Sequence, residues 1–305
     1  MRILTVNAGS TGLKLHVVEN GESTRVEELV VADAVGHRVV HGGERFVAPV
    51  AITDEVEKAI DALSTIAPLH NEPALAAIRR ARQELPDVPH VAVFDTAFHA
   101  GMPYRASTYA VPGRWRDEWK VRRYGFHGLS VQWVSEQVRV PRLVVCHLGG
   151  GCSITAVLDG RSIDTTMGFS PLEGVPMATR SGSVDPGALL YVQREHGLTL
   201  DELDHALHRE SGLLGLGGSS DPRELAGTPA LDVYAYRIAA AVGAMAVALG
   251  GLDALAFTGG VGEGSADVRE RVTALVRFLG DFEVQVVPAR EELVIAREVE
   301  RVLGA

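Results

Sequence analysis

The sequence predicts an α/β protein made of two similar halves, on three observations. The first is length, because 305 residues are too many for one ordinary hydrophobic core and indicate two domains or one large α/β unit. The second is an alternation of strand-like and helix-like apolar patterns along the whole chain, which is typical of sheets covered by helices. The third is an internal repeat between residues 5–21 and 145–160.

The elements follow from the spacing of the apolar residues. Alternating or short continuous apolar runs between turn residues predict strands, and apolar positions three and four apart predict helices. The longest apolar run, Ile238 to Leu252, is shorter than the roughly 20 residues that span a bilayer, so we expect a buried helix there. We predict strands over 2–7, 13–18, 91–95, 142–147, 153–158, 254–258 and 282–287, and helices over 54–66, 72–85, 130–138, 185–196, 200–208, 230–250, 266–279 and 290–303.

The repeat pairs TVNAGSTGLKLHVVENG with VCHLGGGCSITAVLDG. Aligned on Gly9 and Gly149, each copy has a strand, a polar residue (Asn7 or His147), a turn of small residues and a second strand. Two such turns facing one cleft would offer backbone N–H groups to a polyphosphate. A chance match between two glycine-rich hairpins is the alternative.

Composition excludes several classes of function. Hydrophobic residues make up 46% and charged residues 22% of the chain, an ordinary globular balance. The net charge of -10 argues against binding to nucleic acid or to an anionic membrane. Two cysteines exclude a disulfide framework and favour the reducing cytoplasm. The first residues turn polar too soon for a secretory signal.

Several segments combine glycine turns with charged side chains. The P-loop, the protein-kinase motifs, HExxH and GxSxG are all absent from the sequence. Taken singly, the segments have structural explanations: Arg38 could form a buried ion pair within an apolar strand, and Asp95 could cap a helix. Together they offer the cations, carboxylate, backbone N–H groups and hard oxygen ligands that phosphoryl transfer needs. The segments are NAGSTGLK (7–14), GHRVVHGGE (36–44), VFDTAFH (93–99), RRYGFHG (122–128), HLGGGCS (147–153) and GVPMATRSGSVDP (174–186).

These motifs, with APLHN, MGFSPLEG, FTGGVGE and EELVIAR in the same order, resemble the acetate kinase family of the actin-like and sugar-kinase ATPase superfamily. The resemblance implies two duplicated actin-like (ribonuclease H-like) domains with a central cleft. Residues 1–100 and the C-terminal helix 292–305 would form the first domain, and residues 101–291 the nucleotide-binding second. It implies a cytoplasmic homodimer that transfers the γ-phosphoryl group of ATP to acetate, or to propionate, with Mg²⁺ or Mn²⁺, and that binds neither nucleic acid nor membrane.

The resemblance also implies roles for individual residues. Asn7 and Glu291 would bind the metal, and Asp95, His127 and Arg180 would be catalytic. Arg38 would bind the substrate carboxylate, and an apolar pocket would hold the acyl chain on Val40, Leu69, Phe126 and Pro171. The nucleotide would be bound by Lys14, His147, Leu148, Gly149, Gly150, Gly151, Asp221, Pro222, Arg223, Gly260, Val261, Gly262, Glu263 and Gly264.

The sequence departs from the family pattern at Gly12, where the family has serine, and at Gly150 and Gly264, where it has asparagine. Each change removes one side-chain hydrogen bond, so we expect weaker nucleotide binding with the chemistry kept. The chain is also shorter than is usual for the family. These departures keep two alternatives open: a non-catalytic nucleotide-binding regulator, and a kinase for another short carboxylate.

Overall fold

A computed structural model describes residues 1–9, 12–65 and 68–304 of the chain. The chain divides into two compact units. The first unit comprises Met1–Gly101, Phe126–Trp133 and Arg290–Ala305, and the second comprises Met102–Gly125 and Val134–Ala289. The predicted second domain, 101–291, includes residues 101, 126–133, 290 and 291, which this division assigns to the first unit.

Eleven strands form two sheets within the described residues. In chain order they are β1 (Ile3–Gly9), β2 (Gly12–Glu19), β3 (Glu22–Val26), β4 (Ala34–Val39), β5 (Val50–Ala51), β6 (His90–Phe94), β7 (Arg142–Leu148), β8 (Cys152–Leu158), β9 (Arg161–Thr165), β10 (Ala254–Thr258) and β11 (Glu283–Val286).

Twelve α-helices lie between and after the strands in the same described ranges. They are α1 (Asp54–Ala62), α2 (Pro68–Glu84), α3 (Tyr104–Ser107), α4 (Gly113–Asp117), α5 (Gly128–Gln137), α6 (Pro186–His196), α7 (Leu200–Arg209), α8 (Gly212–Gly217), α9 (Pro229–Leu249), α10 (Gly259–Gly264), α11 (Ala266–Leu275) and α12 (Glu291–Leu303).

The predicted α/β class and the duplication are both confirmed by the sheets. The first unit has the strand order β3-β2-β1-β4-β6-β5, and the second has β11-β10-β7-β8-β9. Read from the other edge, the second sheet matches five of the six strands of the first: an antiparallel three-stranded meander followed by two parallel strands. The first sheet adds β5, which pairs antiparallel with β6 at the edge. Asn7 and His147 occupy matching places, each near the end of the first strand of its hairpin.

Of the four strands that are missing from the predicted list, β3, β5 and β9 lie at sheet edges, whereas β4 is central. β3 has the sequence ESTRV, and none of its residues is fully buried. β9 and β5 are also edge strands, and β5 has only two residues. Because an edge strand needs only one paired side, it can form without an alternating apolar pattern. The predicted helix 54–66 ends at Ala62 and continues as a 3₁₀ turn over Leu63–Thr65, and its last predicted residue lies outside the described residues.

The C-terminal helix α12 closes the core of the first unit. Its residues Val294, Ile295 and Val299 are fully buried against the sheet. Gly36 in β4 makes this approach possible, since a Cβ atom there would lie 2.5 Å from Cγ2 of Ile295 and 2.8 Å from Cγ2 of Val299. The chain terminus is thereby fixed on the strand that carries Arg38.

Helix α9 is the core helix of the second unit. By length and composition it could cross a membrane, but half of its most apolar window is buried in the protein, where the helix packs on β7 and β8. Ten of its residues, from Ala230 to Leu249, are buried at intervals of three and four. This burial on one face is the pattern of a helix that covers a sheet.

We predict opposite stability effects for two glycine-to-alanine substitutions. Gly36→Ala forces a methyl group against two stiff β-branched side chains and should lower the free energy of unfolding by about 1–3 kcal/mol. Gly243→Ala in α9 meets no atom within 4 Å and should raise it by about 0.5–1 kcal/mol. Urea unfolding of the two variants checks this, and an unchanged midpoint for Gly36→Ala would contradict the close packing of α12.

Candidate active site

The first unit places polar side chains at the carboxyl ends of three parallel, neighbouring strands. Asn7 lies on β1, Arg38 lies on β4, and Asp95 directly follows β6. The register pairs Asn7 with Arg38, and the backbone N–H of Asp95 donates to the carbonyl of Val39 at 3.0 Å. This edge is where open α/β sheets bind ligands.

These side chains form one connected row. The Arg38 guanidinium donates from Nε to Asp95 Oδ1 at 3.0 Å and from Nη1 to Asn7 Oδ1 at 3.0 Å. Asn7 Nδ2 then donates to Glu291 Oε2 at 2.8 Å, across 284 positions of sequence. The row therefore joins three predicted roles: a catalytic carboxylate, a carboxylate-binding arginine and a pair of metal ligands.

The centre of the row is a buried ion pair. The side chains of Arg38 and Asp95 are 12% and 0% exposed. Burial acts to lower the pKa of Arg38, but the charges of Asp95 and Glu291 outweigh it and raise the pKa above its ordinary value. Burial raises the pKa of the Asp95 carboxyl, and the Arg38 guanidinium and the backbone N–H of His127 act against that rise. The guanidinium therefore stays protonated and fixed in direction.

His127 is held in a left-handed backbone conformation beside this pair. Its φ angle is 59°, which is uncommon for a residue other than glycine. His99 Nε2–H donates to the carbonyl of Phe126 at 3.0 Å, and a Cβ atom on Gly128 would lie only 2.0 Å from the carbonyl oxygen of Asp95. Because its neighbours on both sides are pinned, His127 keeps a conformation that costs roughly 1–3 kcal/mol.

The remaining predicted residues of the first unit differ in how far their side chains are exposed. Lys14 pairs with Asn7 across the β1–β2 hairpin and is exposed. Val40 follows β4 and is 4% exposed, and Phe126 is 1% exposed. Leu69 belongs to α2, but its side chain lies outside the described residues.

In the second unit the glycine turn of the β7–β8 hairpin lies against the start of α10. The Gly149 N–H donates to the carbonyl of Gly151 at 3.0 Å and closes the turn. A Cβ atom on Gly259 would lie 2.7 Å from the carbonyl oxygen of Leu148 and 3.2 Å from Nε2 of His147. Two predicted nucleotide-binding segments, 147–151 and 260–264, therefore meet at the ends of the adjacent strands β7 and β10.

Glu263 is engaged with the protein backbone. Its Oε1 accepts hydrogen bonds from the N–H groups of Gly259 and Ala289, both at 3.0 Å. The carboxylate thus ties the start of α10 to the segment that precedes Glu291. The sequence motif FTGGVGE marks this glutamate, but only the structure identifies these two bonds.

Arg180 contacts the segment that follows β9. Its Nη1 donates to the carbonyl of Pro171 at 3.2 Å and lies 3.9 Å from the sulfur of Met177. Arg180 and Pro171 are therefore neighbours in the second unit.

Asp221, Pro222 and Arg223 form a turn of their own, in which Pro222 is buried and Arg223 is exposed. Arg223 Nε donates to both Asp221 carboxylate oxygens, at 2.9 and 3.0 Å, and this bonding lowers the pKa of Asp221 to about 2. No hydrogen bond among the described residues links this turn to residues 260–264. The predicted adenosine site is thus represented by two separate segments.

Sequence reasoning gave no role to His99 or to the trio Tyr109, Arg123 and Glu173. His99 was visible as the last residue of VFDTAFH, and two of the trio lie in RRYGFHG and MGFSPLEG. Their partners are carbonyl groups or residues up to 64 positions away. Spacing within a motif cannot reveal contacts of that kind.

Comparison with known proteins agrees with this arrangement. The model of the acetokinase family matches residues 2–296. The chain belongs to the acetokinase family. Among curated family relatives, acetate kinase of Nostoc punctiforme is 46% identical over 284 residues, covering 87% of this chain and 70% of the relative. Acetate kinase of Clavibacter michiganensis is 46% identical over 320 residues, covering 92% and 80%.

Solved structures of the family match almost the whole chain. A propionate kinase from Francisella tularensis has a TM-score of 0.91 at 33% identity and covers 97% of this chain and 98% of its own. Acetate kinase of Porphyromonas gingivalis has a TM-score of 0.85 at 32% identity, with 99% of both chains covered. The resemblance and the duplicated actin-like fold expected from the sequence are confirmed.

Three buried histidines, His37, His90 and His99, lie on or shortly after the strands that carry the candidate site. His90 Nε2–H donates to the carbonyl of Leu85 at 3.0 Å, so its Nδ1 is an acceptor for His37 Nε2–H at 2.9 Å. His37 Nδ1 is buried without a hydrogen-bond partner. Burial lowers the pKa of His37 to about 3, and burial lowers that of His99 to about 4. Both rings are therefore neutral in the folded protein near neutral pH.

We predict that acid destabilises the fold through these rings. Between pH 6.5 and 4 the unfolded chain binds protons that the folded chain excludes, so the free energy of unfolding falls as pH decreases. From pH 7 to 5 each such histidine should contribute a loss of about 2 kcal/mol. Urea unfolding at both pH values should show a smaller loss for His99→Gln than for the unmodified chain. The exposed control His205→Gln should leave the loss unchanged, and an equal loss in all three proteins would contradict the assignment.

Proposed function

We propose that this chain is an acyl kinase that reversibly transfers the γ-phosphoryl group of ATP to acetate, with propionate as a second acceptor. The products are the acyl phosphate and ADP. Membership of the acetokinase family supports the reaction class. The observation that carries the proposal is the row Asp95–Arg38–Asn7–Glu291, because it sets a buried cation beside a carboxylate and two hard oxygen donors.

Arg38 is the proposed anchor of the substrate carboxylate. A guanidinium has five N–H donors, and the bonds from Nε, Nη1 and Nη2 to Asp95 and Asn7 engage three of them. The other two are available for a second carboxylate, and arginine is the residue best suited to bind one through paired bonds. The buried side chains Val40 and Phe126 would limit the acyl chain to a short one.

Phosphoryl transfer to a carboxylate requires the protein to orient the reactants and does not require it to remove a proton. An ionised substrate carboxylate is already a nucleophile, so Asp95 would align it through the shared Arg38 rather than act as a strong base. His127 and Arg180 would neutralise charge on the phosphoryl oxygens during transfer. Cations fixed before the reaction stabilise such charge because they need not reorganise.

The pair Asn7 and Glu291 fits Mg²⁺. Asn7 Nδ2 donates to Glu291 Oε2 and Asn7 Oδ1 accepts from Arg38, so the amide would have to turn its oxygen towards Glu291 to bind the ion. An amide oxygen with a carboxylate is then a suitable hard donor set for an ion that keeps several of its waters. The bound ion would add positive charge next to the phosphates. Within the described residues no group of three or more His, Cys, Asp or Glu side chains could hold a metal, so this mixed pair is the site we propose.

We also propose a cytoplasmic location and a homodimer. Cys146 and Cys152 are both buried as free thiols, which suits a reducing compartment. The homodimer rests on the family resemblance alone. Sedimentation analysis of the purified chain tests it directly.

Acyl phosphate formation with ATP, Mg²⁺ and acetate or propionate, followed as the hydroxamate, tests the function. Arg180→Ala should lower kcat about 10²–10³-fold, since a preorganised cation is lost. Arg38→Lys should mainly raise KM for the carboxylate, because a point charge replaces the planar fork. Arg194→Ala, an exposed arginine on α6, is the matched control and should behave like the unmodified chain.

One outcome would contradict the role of Arg180, and another would contradict the kinase itself. Full turnover in Arg180→Ala would remove its catalytic role. ATP binding without any turnover in the unmodified chain would favour the nucleotide-binding regulator or a kinase for another carboxylate.

We predict that restoring asparagine at position 264 tightens nucleotide binding. A Cβ atom on Gly264 meets nothing within 4 Å, so the side chain has room. One regained hydrogen bond should lower KM for ATP about two- to tenfold. Gly12→Ser is the contrasting variant and should not give this decrease in KM. Gly12 has a φ angle of 114°, which serine adopts only with strain. An unchanged KM in Gly264→Asn would show that position 264 does not face the nucleotide.

A further inference from the structure

The second unit contains a polar cluster that the proposed roles do not use. Tyr109 lies between α3 and α4, and Glu173 lies in the segment that follows β9. The Tyr109 hydroxyl donates a short hydrogen bond to Glu173 Oε2 and accepts one from the backbone N–H of Phe169 at 3.0 Å. One hydroxyl group therefore ties together both ends of the five-residue segment 169–173.

Arg123 joins the same segment to the end of strand β9. Its Nη2 donates to Glu173 Oε1 at 2.9 Å, and its Nη1 donates to the carbonyls of Thr165 and Thr166, both at 2.8 Å. The guanidinium also lies 5.6 Å from the centre of the Tyr109 ring, within the range of a cation–π contact. Both Glu173 carboxylate oxygens are thus engaged, one by each partner.

The cluster of Tyr109, Arg123 and Glu173 is tightly packed against Gly168. A Cβ atom on Gly168 would lie 1.6 Å from Glu173 Oε2 and 2.0 Å from the Tyr109 hydroxyl, so only glycine fits. The side chains of Arg123 and Glu173 are 17% and 32% exposed, which makes their pairing necessary. Burial and the Glu173 hydrogen bond raise the pKa of Tyr109, so the hydroxyl remains a donor at all working pH values.

Pro171 is the middle residue of the tied segment. Its ring is buried, and its carbonyl accepts the hydrogen bond from Arg180 Nη1 at 3.2 Å. The ring and the carbonyl of Pro171 both belong to the tied segment, so a shift at either end of the segment displaces them. The Tyr109 hydroxyl therefore helps to place Pro171 and, through the Pro171 carbonyl, one of the contacts of Arg180.

We propose that Tyr109, held by Glu173 and Arg123, is a positioning residue for acyl transfer: it sets the Pro171 wall against the acyl chain and the direction of the Arg180 guanidinium. The role rests on the proposed acyl kinase function. It adds a determinant of acyl-chain selectivity that does not itself touch the substrate. It also explains why a partly buried tyrosine, arginine and glutamate meet beside a loop that apolar packing could have held.

Tyr109→Phe tests the proposal, with Tyr104→Phe as the matched control. Tyr104 is 76% exposed in the same stretch of chain and should behave like the unmodified protein. In Tyr109→Phe, kcat with acetate should fall about tenfold while KM for ATP stays within twofold, because misplaced catalytic groups cost rate. The ratio of kcat/KM for propionate to that for acetate should rise threefold or more, since a looser wall discriminates less against one methylene.

Substitutions at Glu173 separate positioning from simple loss of structure. Glu173→Gln keeps one acceptor and should retain more of kcat than Glu173→Ala, with the melting temperature of both variants followed alongside. A kcat that falls only in proportion to the folded fraction, with an unchanged propionate-to-acetate ratio, would overturn the positioning role.

Hydrogen exchange provides a readout that does not need activity. The Phe169 N–H donates to the Tyr109 hydroxyl, so peptides covering 167–174 should exchange faster in Tyr109→Phe than in Tyr104→Phe. Equal exchange would overturn the proposal whether or not the chain turns over acetate. Faster exchange in a chain without any acyl kinase activity would leave the clamp standing and overturn the proposed function and, with it, the catalytic role of Tyr109.

Discussion

The buried ion pair between Arg38 and Asp95 is the interaction on which the first unit is organised. A carboxylate with no exposed surface is tolerated only with a charged, hydrogen-bonded partner, and a guanidinium in the same position needs the carboxylate just as much. The pair therefore constrains the register of the two strands, because Arg38 on β4 must lie beside the end of β6, where Asp95 follows. The pair also fixes the side chains around it, since Asn7 is oriented by Arg38 and Glu291 by Asn7. The start of α12 is thereby tied to the site that its buried face supports from behind.

The two units use the same strand order for different chemistry. In the first unit, the ends of the parallel strands carry charged and amide side chains, with Arg38 on β4. In the second unit, the position that pairs with His147 is Thr258, and the residues around it are glycines. Side-chain charge suits a small carboxylate, whereas backbone N–H groups brought close by glycine suit a polyphosphate. The duplicated fold thus supplies two similar frames, and in the proposed function the residues at matching strand ends would separate acceptor binding from nucleotide binding.

Most of this organisation could be predicted from the sequence, for physical reasons that differ between elements. Buried strands and amphipathic helices carry their period in the sequence, and the repeat around Gly9 and Gly149 carried the duplication. Edge strand β3 was missed because it has no buried face. The row of side chains at Arg38 was predicted residue by residue but not as a connected chain, since Asn7 and Glu291 are 284 positions apart. The engagement of Glu263 with two backbone N–H groups could not be predicted, because a motif records which residue is present and not what it contacts.

The strained backbone of His127 also helps to preorganise the side chains of the first unit. A left-handed histidine would relax if its neighbours allowed it, and here they do not: His99 fixes the preceding carbonyl, and the close approach of Gly128 to Asp95 fixes the following residue. The His127 N–H points at the Asp95 carboxylate and opposes the rise in pKa that burial causes. The strained backbone therefore helps to keep Asp95 ionised, while the imidazole is directed by a main chain that cannot adjust. In this unit the preorganisation of the site is a property of the backbone as much as of the charged side chains.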